Sequence, residues 1–201
     1  TIDNDLAGTD FTLGFDTAVN TALEAIDRIR DTADSMKRIF LVEVMGRTRG
    51  YIALYAGLAG GADAVLVPEV PDDIPALCSR LRSRLATSKR SSIVVVAEGA
   101  EAGGAFRIAE QVMECIKDTV EVETRVCVLG HVQRGGSPTA TDRLLGSILG
   151  DAAVDALLSG HGCHMVGRVK GQTVTTPLDQ TLNDNKVLPS DLLDLMDRLS
   201  T

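Results

Sequence analysis

Two carboxylates two residues apart open the chain, in Thr1-Ile2-Asp3-Asn4-Asp5. In an extended segment alternate side chains share a side, so one carboxylate could take the proton of an attacking hydroxyl while the other lay beside a metal. Phosphoryl transfer uses such a pair, with Mg²⁺ bridging the phosphates. Asx-rich loops also build turns and helix caps, and spacing does not choose between the two. A second segment, Gly130-His131-Val132-Gln133-Arg134-Gly135-Gly136, holds an imidazole and a guanidinium just ahead of Ser137-Pro138, where a helix is expected to start. Free N–H groups and the dipole at a helix start favour an anion, and Arg adds a bidentate fork for phosphate. In the competing reading Gly135-Gly136 only make a turn and His131 is a satisfied, buried imidazole. Met45-Gly46-Arg47 and Glu98-Gly99 add a cation, glycines and a further carboxylate. His161-Gly162-Cys163-His164 holds three ligand-type side chains, but adjacent ligands seldom complete a tetrahedral shell and no partner cluster stands at zinc spacing. It reads as an ordinary loop.

These residues fall just after apolar runs. Phe15, Val19, Ala22, Ile26 and Ile29 recur at helical spacing, predicting a long amphipathic helix that ends near Ser35. Residues 39–44 are rich in β-branched side chains and too short for a typical helix, so they read as a buried strand stopped by Gly46. The alternation continues with a helix through Ile52 to Leu58, a strand Ala64 to Val67, a helix Pro71 to Leu85, a strand Ser92 to Ala97 and a helix Gly104 to Lys117. It ends with a strand Arg125 to Leu129, a helix Pro138 to Leu158, a strand Met165 to Val169 and a helix after Pro189. Continuous apolar strands separated by helices signal a parallel sheet covered on both faces, hence an α/β fold. In such sheets ligands bind beyond the carboxyl ends of the strands, which is where the chemistry-bearing segments lie. Residues 1–14 form a polar loop with no strand before it, as though the chain began within a fold. No linker or repeat marks a domain boundary.

Composition narrows the classes. With 201 residues, 44% of them apolar, the chain can bury a sizeable core. Its formal charge of -8 opposes nucleic acid and anionic lipid, and 3% aromatic residues with no Trp leave little for stacking on single strands. Any phosphate must be caught by a local basic site. Cys78, Cys115, Cys127 and Cys163 form no Cys-x-x-Cys pair, and no secretory leader is evident; reduced thiols and a cytoplasmic location are expected. Apolar runs fall far short of the roughly 20 residues of a membrane-spanning helix, so no membrane or nucleic-acid partner is expected. No Gly-x-Gly-x-x-Gly follows a strand and opens a helix, which removes a dinucleotide-binding reading.

Thr1 to Asp5, the stretch Gly14 to Thr32, Val42 to Arg47, Ala59-Gly60-Gly61-Ala62 and Gly130 to Pro138 together resemble the bacterial 6-phosphofructokinases over nearly the whole chain. The resemblance implies the phosphofructokinase fold with two interleaved domains. It implies transfer of a phosphoryl group from ATP to the 1-hydroxyl of fructose 6-phosphate, with Mg²⁺. By position, Asp3 resembles the general base, Thr1 a hydrogen-bonding group near the transferred phosphoryl, Asp5 a residue near the magnesium, and Arg47 the arginine that stabilises transition-state charge. Met45, Gly46, Glu98, His131 and Arg134 match sugar-phosphate positions. Arg38 and Arg125 match arginines that reach the 6-phosphate across a subunit interface, so a homotetramer is implied.

Arg30, Gly61, Asp63 and Lys89 fall at the family's effector site for ADP or phosphoenolpyruvate, although Asp63 stands where a longer Glu is usual and Thr87 where a basic residue is expected. Arg30 could instead only pair with Asp27 on its own helix. The nucleotide-binding half that family members carry ahead of this region is not in the sequence. Residues 1–14 and 127–177 would then be the remnant of the nucleotide domain, and 15–126 with 178–201 the fructose-6-phosphate and effector domain. Two other readings stand beside the ATP-dependent kinase: a pyrophosphate-dependent relative, and a sugar-phosphate-binding module without catalysis.

Overall fold

The computed structural model describes residues 1–33, 38–87, 91–118 and 122–199. Helix α1 (Phe15–Ala33) leads into strand β1 (Arg38–Val44), followed by α2 (Tyr51–Ala59), β2 (Ala64–Leu66), α3 (Ile74–Thr87), β3 (Ser92–Ala97), α4 (Gly104–Ile116) and β4 (Glu123–Val128). The four strands form one parallel sheet in the order β2-β3-β1-β4, with Leu41 opposite Val94 and Val126.

The register divides the core in two. Val42 and Val44 of β1 with Ile93, Val95 and Ala97 of β3 face α1 and α2. Ile39 and Leu41 with Val94 and Val96 face α3 and α4. Every residue of β3 is buried, as a central strand covered on both faces requires. Each of its Ile and Val side chains contributes about 1.5–3 kcal/mol of burial. Phe15 of α1 stacks edge-on against Tyr55 of α2, with ring centroids 5.1 Å apart.

Two expected helix starts shift inward for the same reason. The helix expected from Pro71 begins at Ile74, because the Asp73 carboxylate accepts the Ala76 N–H at 2.8 Å. The helix expected from Pro138 becomes α5 (Ala140–Leu158), whose N-cap is Thr139. Side-chain oxygens at these positions satisfy otherwise orphaned N–H groups.

One strand departs from the parallel expectation. The Met165 run forms β5 (His164–Val169) and pairs antiparallel with β6 (Gln172–Pro177) in a separate two-stranded sheet. The turn is Lys170-Gly171, with φ of +50° and +79°, the two left-handed positions that a tight hairpin of this twist needs. The hairpin seats on the first loop through Asp10 N–H to Arg168 O at 2.8 Å and Arg168 N–H to Thr9 Oγ1 at 3.1 Å. Helices α6 (Leu178–Asn183) and α7 (Ser190–Leu199) complete the chain, and Met196 of α7 joins the core beside α2. Among the described residues no helix is long and apolar enough to cross a membrane.

Candidate active site at the carboxyl ends of the strands

Three loops leave the carboxyl ends of β1, β3 and β4 and are stitched to one another. The Glu98 N–H donates to Val44 O at 2.9 Å and the Leu129 N–H to Glu43 O at 3.0 Å, extending the ladders past the strands. Glu98 Oε1 then accepts the N–H groups of Gly46, at 3.2 Å, and Arg47, at 2.6 Å. This fixes a tight turn in which Arg47 adopts φ +51°. A side chain on Gly99 would collide with the Arg47 carbonyl, so glycine there admits the close approach of the two loops. After β4 a 3₁₀ turn, Gly130–Arg134, carries His131 and Arg134 outward and Gln133 inward. Gln133 is 1% exposed. Its Oε1 accepts the Met45 N–H at 2.8 Å and its Nε2 reaches Ala18 O at 3.5 Å.

The opening loop completes the site. Asp3 is 5% exposed. Its carboxyl is pushed above the usual carboxylate range by burial and then by the Asp5 charge, against the pull of the Arg134 and Arg47 guanidiniums, with Glu98 pushing the same way as Asp5. Asp3, Asp5, Arg47, Arg134 and Glu98 are therefore one electrostatic cluster. The Oδ1 atoms of Asp3 and Asp5 are buried with no hydrogen-bond partner among the described residues, and Thr1 Oγ1 accepts the Asp3 N–H at 3.1 Å. The expected extended geometry is not what brings the carboxylates together. Asn4, between them, sits at φ +55°, a left-handed kink that Asn tolerates. It is pinned there by the Thr12 N–H onto its Oδ1 at 2.9 Å and by its own Nδ2 onto Asp10 O at 3.2 Å.

The structure thus brings together Thr1, Asp3, Asp5, Met45, Gly46, Arg47, Glu98 and Arg134, with His131 exposed on the same 3₁₀ turn. The buried-imidazole reading of His131 is overturned. At the helix start behind Gly135-Gly136, Thr139 caps α5 by accepting the Asp142 N–H at 3.3 Å, which occupies one of the first-turn donors. Arg134 borders a cleft of about 330 Å³ lined by Ile2, Gly135, Gly136, Pro138 and Arg143. Its guanidinium and the Asp3 cluster suit an anionic group whose reacting hydroxyl meets a carboxylate.

Arg38 and Arg125 stand elsewhere. Arg38 begins β1, about 20 Å from Met45 at roughly 3.3 Å per residue. Both arginines pair with Glu123 on edge strand β4, at 3.3 Å and 2.7 Å.

At the amino ends of the strands lie the other expected residues. Arg30 donates to the carbonyls of Gly60 and Gly61. Asp63 accepts the Ile93 N–H at 2.8 Å and pairs with Arg84 at 2.9 Å. A cleft of about 450 Å³ here is lined by Asp63, Ser79, Arg80, Ser83, Arg84 and Thr87. Arg84 was not singled out from sequence: it precedes Thr87 by nearly one helical turn, and only the helix brings it onto Asp63. Lys89 lies outside the described residues. His161, Gly162 and Cys163 lie in the loop before β5 and His164 begins that strand, with the two imidazole rings 5.5 Å apart.

An α/β protein with an arginine- and carboxylate-bearing site at the carboxyl ends of a parallel sheet is the class that fold and site define. The family model for phosphofructokinase matches residues 1–157, and the chain belongs to that family. It is 56% identical over 195 residues to ATP-dependent 6-phosphofructokinase 1 of Thermus thermophilus, covering 97% of this chain and 59% of that protein. It is 46% identical over 200 residues to ATP-dependent 6-phosphofructokinase of Bacillus subtilis, covering 100% and 61%. The chain therefore spans about 60% of the length of these relatives. Among solved structures, phosphofructokinase from Saccharomyces cerevisiae superposes with a TM-score of 0.82 at 33% identity, over 99% of this chain and 27% of that one. Pyrophosphate-dependent phosphofructokinase from Nitrosospira multiformis gives 0.76 at 27%, over 94% and 52%.

Proposed function

We propose that the protein of which this chain is part transfers the terminal phosphoryl group of ATP to the 1-hydroxyl of fructose 6-phosphate. The observation that carries this reading is the buried Asp3 carboxyl, flanked by Asp5 and faced by Arg47 and Arg134. Asp3 accepts the hydroxyl proton as the oxygen–phosphorus bond forms and the bond from the γ-phosphorus to the bridging oxygen breaks, releasing ADP. A carboxylate whose pKa lies above the ordinary value is the better acceptor for this task. Arg47 meets the charge that develops on the transferring group, and Thr1 hydrogen-bonds beside it. Met45, Gly46, Glu98, His131 and Arg134 hold the sugar phosphate. The orphaned, buried Asp5 oxygen fits the hard donor that Mg²⁺ takes, and sites of this kind need only one or two carboxylates with substrate phosphates and water. When bound, Mg²⁺ would neutralise charge on the phosphates.

The remaining parts of the proposal concern assembly. Arg38 and Arg125 are too far from the Asp3 cluster to serve their own chain, and their shared pairing with Glu123 at the start of edge strand β4 suits the 6-phosphate of a neighbouring subunit's site in a homotetramer. Residues 1–14 and 127–177 belong to the nucleotide side and residues 15–126 and 178–201 to the sugar-phosphate side. Arg30, Gly61, Asp63 and Lys89 form an effector site for ADP or phosphoenolpyruvate, with Arg84 supplying the basic group that Thr87 does not. The 46–56% identity to ATP-dependent relatives, against 27% to the pyrophosphate-dependent structures, favours ATP as donor. Asp3→Asn should lower kcat by about 10²–10⁴-fold while leaving the fructose 6-phosphate Kd within a few-fold. Near-normal turnover in that variant would sink the assignment, and turnover with pyrophosphate but not ATP would change the donor.

A further inference from the structure

The loop between α6 and α7 carries a lysine that the chemistry above does not use. Lys186 is half-buried and donates from Nζ to Asn4 Oδ1 at 2.9 Å and to Asp10 O at 2.8 Å. Its ammonium lies 5.3 Å from the centre of the Tyr51 ring, where a cation is attracted to the π face. The backbone on either side of it is held from the Arg47 side of the site. Arg49 Nη2 donates to Asn185 Oδ1 at 3.0 Å, Arg49 Nη1 to Lys186 O at 3.5 Å, and the Tyr51 hydroxyl to Val187 O at 2.7 Å. One ammonium therefore ties the loop that carries Asp3 and Asp5 to the segment that follows Arg47. Asn4 is the hinge of that tie: it sits in the left-handed kink between the two carboxylates, so whatever fixes its side chain fixes the direction of both.

We propose that Lys186 is a positioning residue for the Asp3–Asp5 pair, clamping Asn4 and the backbone of Asp10 onto the Tyr51 face so that the Asp3 carboxyl stays buried beside Arg47 and Arg134 and the Asp5 Oδ1 stays buried next to it. The inference rests on the reading of Asp3 as general base. The charged and titratable groups around the ammonium are Asp10 and Asp5, which stabilise its charge, and the Tyr51 phenol, pushed up to about 12 chiefly by burial. Burial outweighs the two carboxylates and lowers Lys186 to about 8, so the clamp holds a proton that can be removed in mildly alkaline solution. A bond to an ionised donor is stronger than one to a neutral amine, and the clamp weakens as that proton leaves.

The test compares the full-length enzyme with Lys186→Met, which keeps the stem and removes the ammonium, and with Lys186→Gln, which keeps a donor. Amide hydrogen exchange reads the loop directly: in Lys186→Met the Thr12 N–H, which Asn4 Oδ1 accepts, should exchange about 10-fold faster or more, since Asn4 has lost its clamp. The kcat should drop about 10-fold or more with the KM for fructose 6-phosphate within about twofold, because misplacement of a reacting group acts on the chemical step. Lys186→Gln should lie between. A lower melting temperature with kcat unchanged would overturn the proposal, as would a change confined to KM. If neither variant folds, the unaltered enzyme decides: the Thr12 N–H, held on Asn4 Oδ1, should exchange as slowly as the amides of β1, and rapid exchange there overturns the clamp. Absence of turnover by the unaltered enzyme with either donor would overturn the kinase reading, while the exchange of Thr12 would still decide the positioning role.

Discussion

Asp3 carries its cost in stability. A carboxyl whose folded-state pKa lies above its unfolded value binds a proton more readily in the folded chain, so stability falls as pH rises above the ordinary value of 3.8. The sign is opposite to that of a salt-bridged carboxylate, because desolvation, the largest influence on Asp3, outweighs Arg134 and Arg47. The same variant that removes the proposed proton acceptor should therefore stabilise the fold. Asp3→Asn is expected to melt higher than the parent at pH 7, and the gain should vanish below about pH 3.8, where the parent carboxyl is neutral whether folded or not. Thermal melts of the two proteins across this range check the sign, and an equal gain at every pH would mean that burial of charge is not its source.

At the scale of elements, the starts of α1 and α5 hold each other. Asp142, in the first turn of α5, accepts the Gly14 N–H and the Thr17 N–H, each at 2.8 Å, and the Thr17 hydroxyl at 2.5 Å. In return Thr139 donates its hydroxyl to Asp16 in the first turn of α1, at 2.5 Å. A buried carboxylate at a helix start satisfies orphaned N–H groups and meets the positive end of the dipole. Asp142→Ala should cost about 2–4 kcal/mol, lowering the melting temperature by roughly 4–16 °C for a chain of this size, with Asp142→Asn costing about half. A loss under about 0.5 kcal/mol would show that these bonds merely replace equivalent ones to water. The consequence reaches the site, since α1 also accepts the Gln133 amide at Ala18 O and Gln133 sets the Met45 backbone.

At the scale of the molecule, the guanidiniums of Arg38 and Arg125 lie away from the Asp3 cluster, and the proposed remedy is a neighbouring subunit. Sites shared between chains make a specific prediction. Asp3→Asn and Arg125→Ala should each be nearly inactive, yet subunits of the two, dissociated and reassembled together, should recover about a quarter of the parent activity. In a symmetric pair each hybrid has one site with both residues intact. No recovery in hybrids proven to form would place Asp3 and Arg125 in the same chain's site. Leu157 and Leu158 near the end of α5 are 69% and 83% exposed. Apolar side chains left uncovered in this way are consistent with further protein surface being seated there.

The sequence by itself determined the alternation of buried strands and helices, the parallel sheet with covers on both faces, and the segments beyond the strand ends in which the site lies. Those features repeat within a turn or a strand, so local apolar spacing records them, and the motif residues Thr1, Asp3, Arg47 and Arg134 stand in runs that resemble one family. Only the tertiary structure decided the supporting contacts. Gln133 meets Met45 across 88 residues, Asp142 meets Gly14 across 128 and Lys186 meets Asn4 across 182. It also decided the antiparallel hairpin of β5 and β6, whose second strand is polar. No local period carries such pairings, because they arise when packed layers bring distant polar groups out of water together and each must then find a partner.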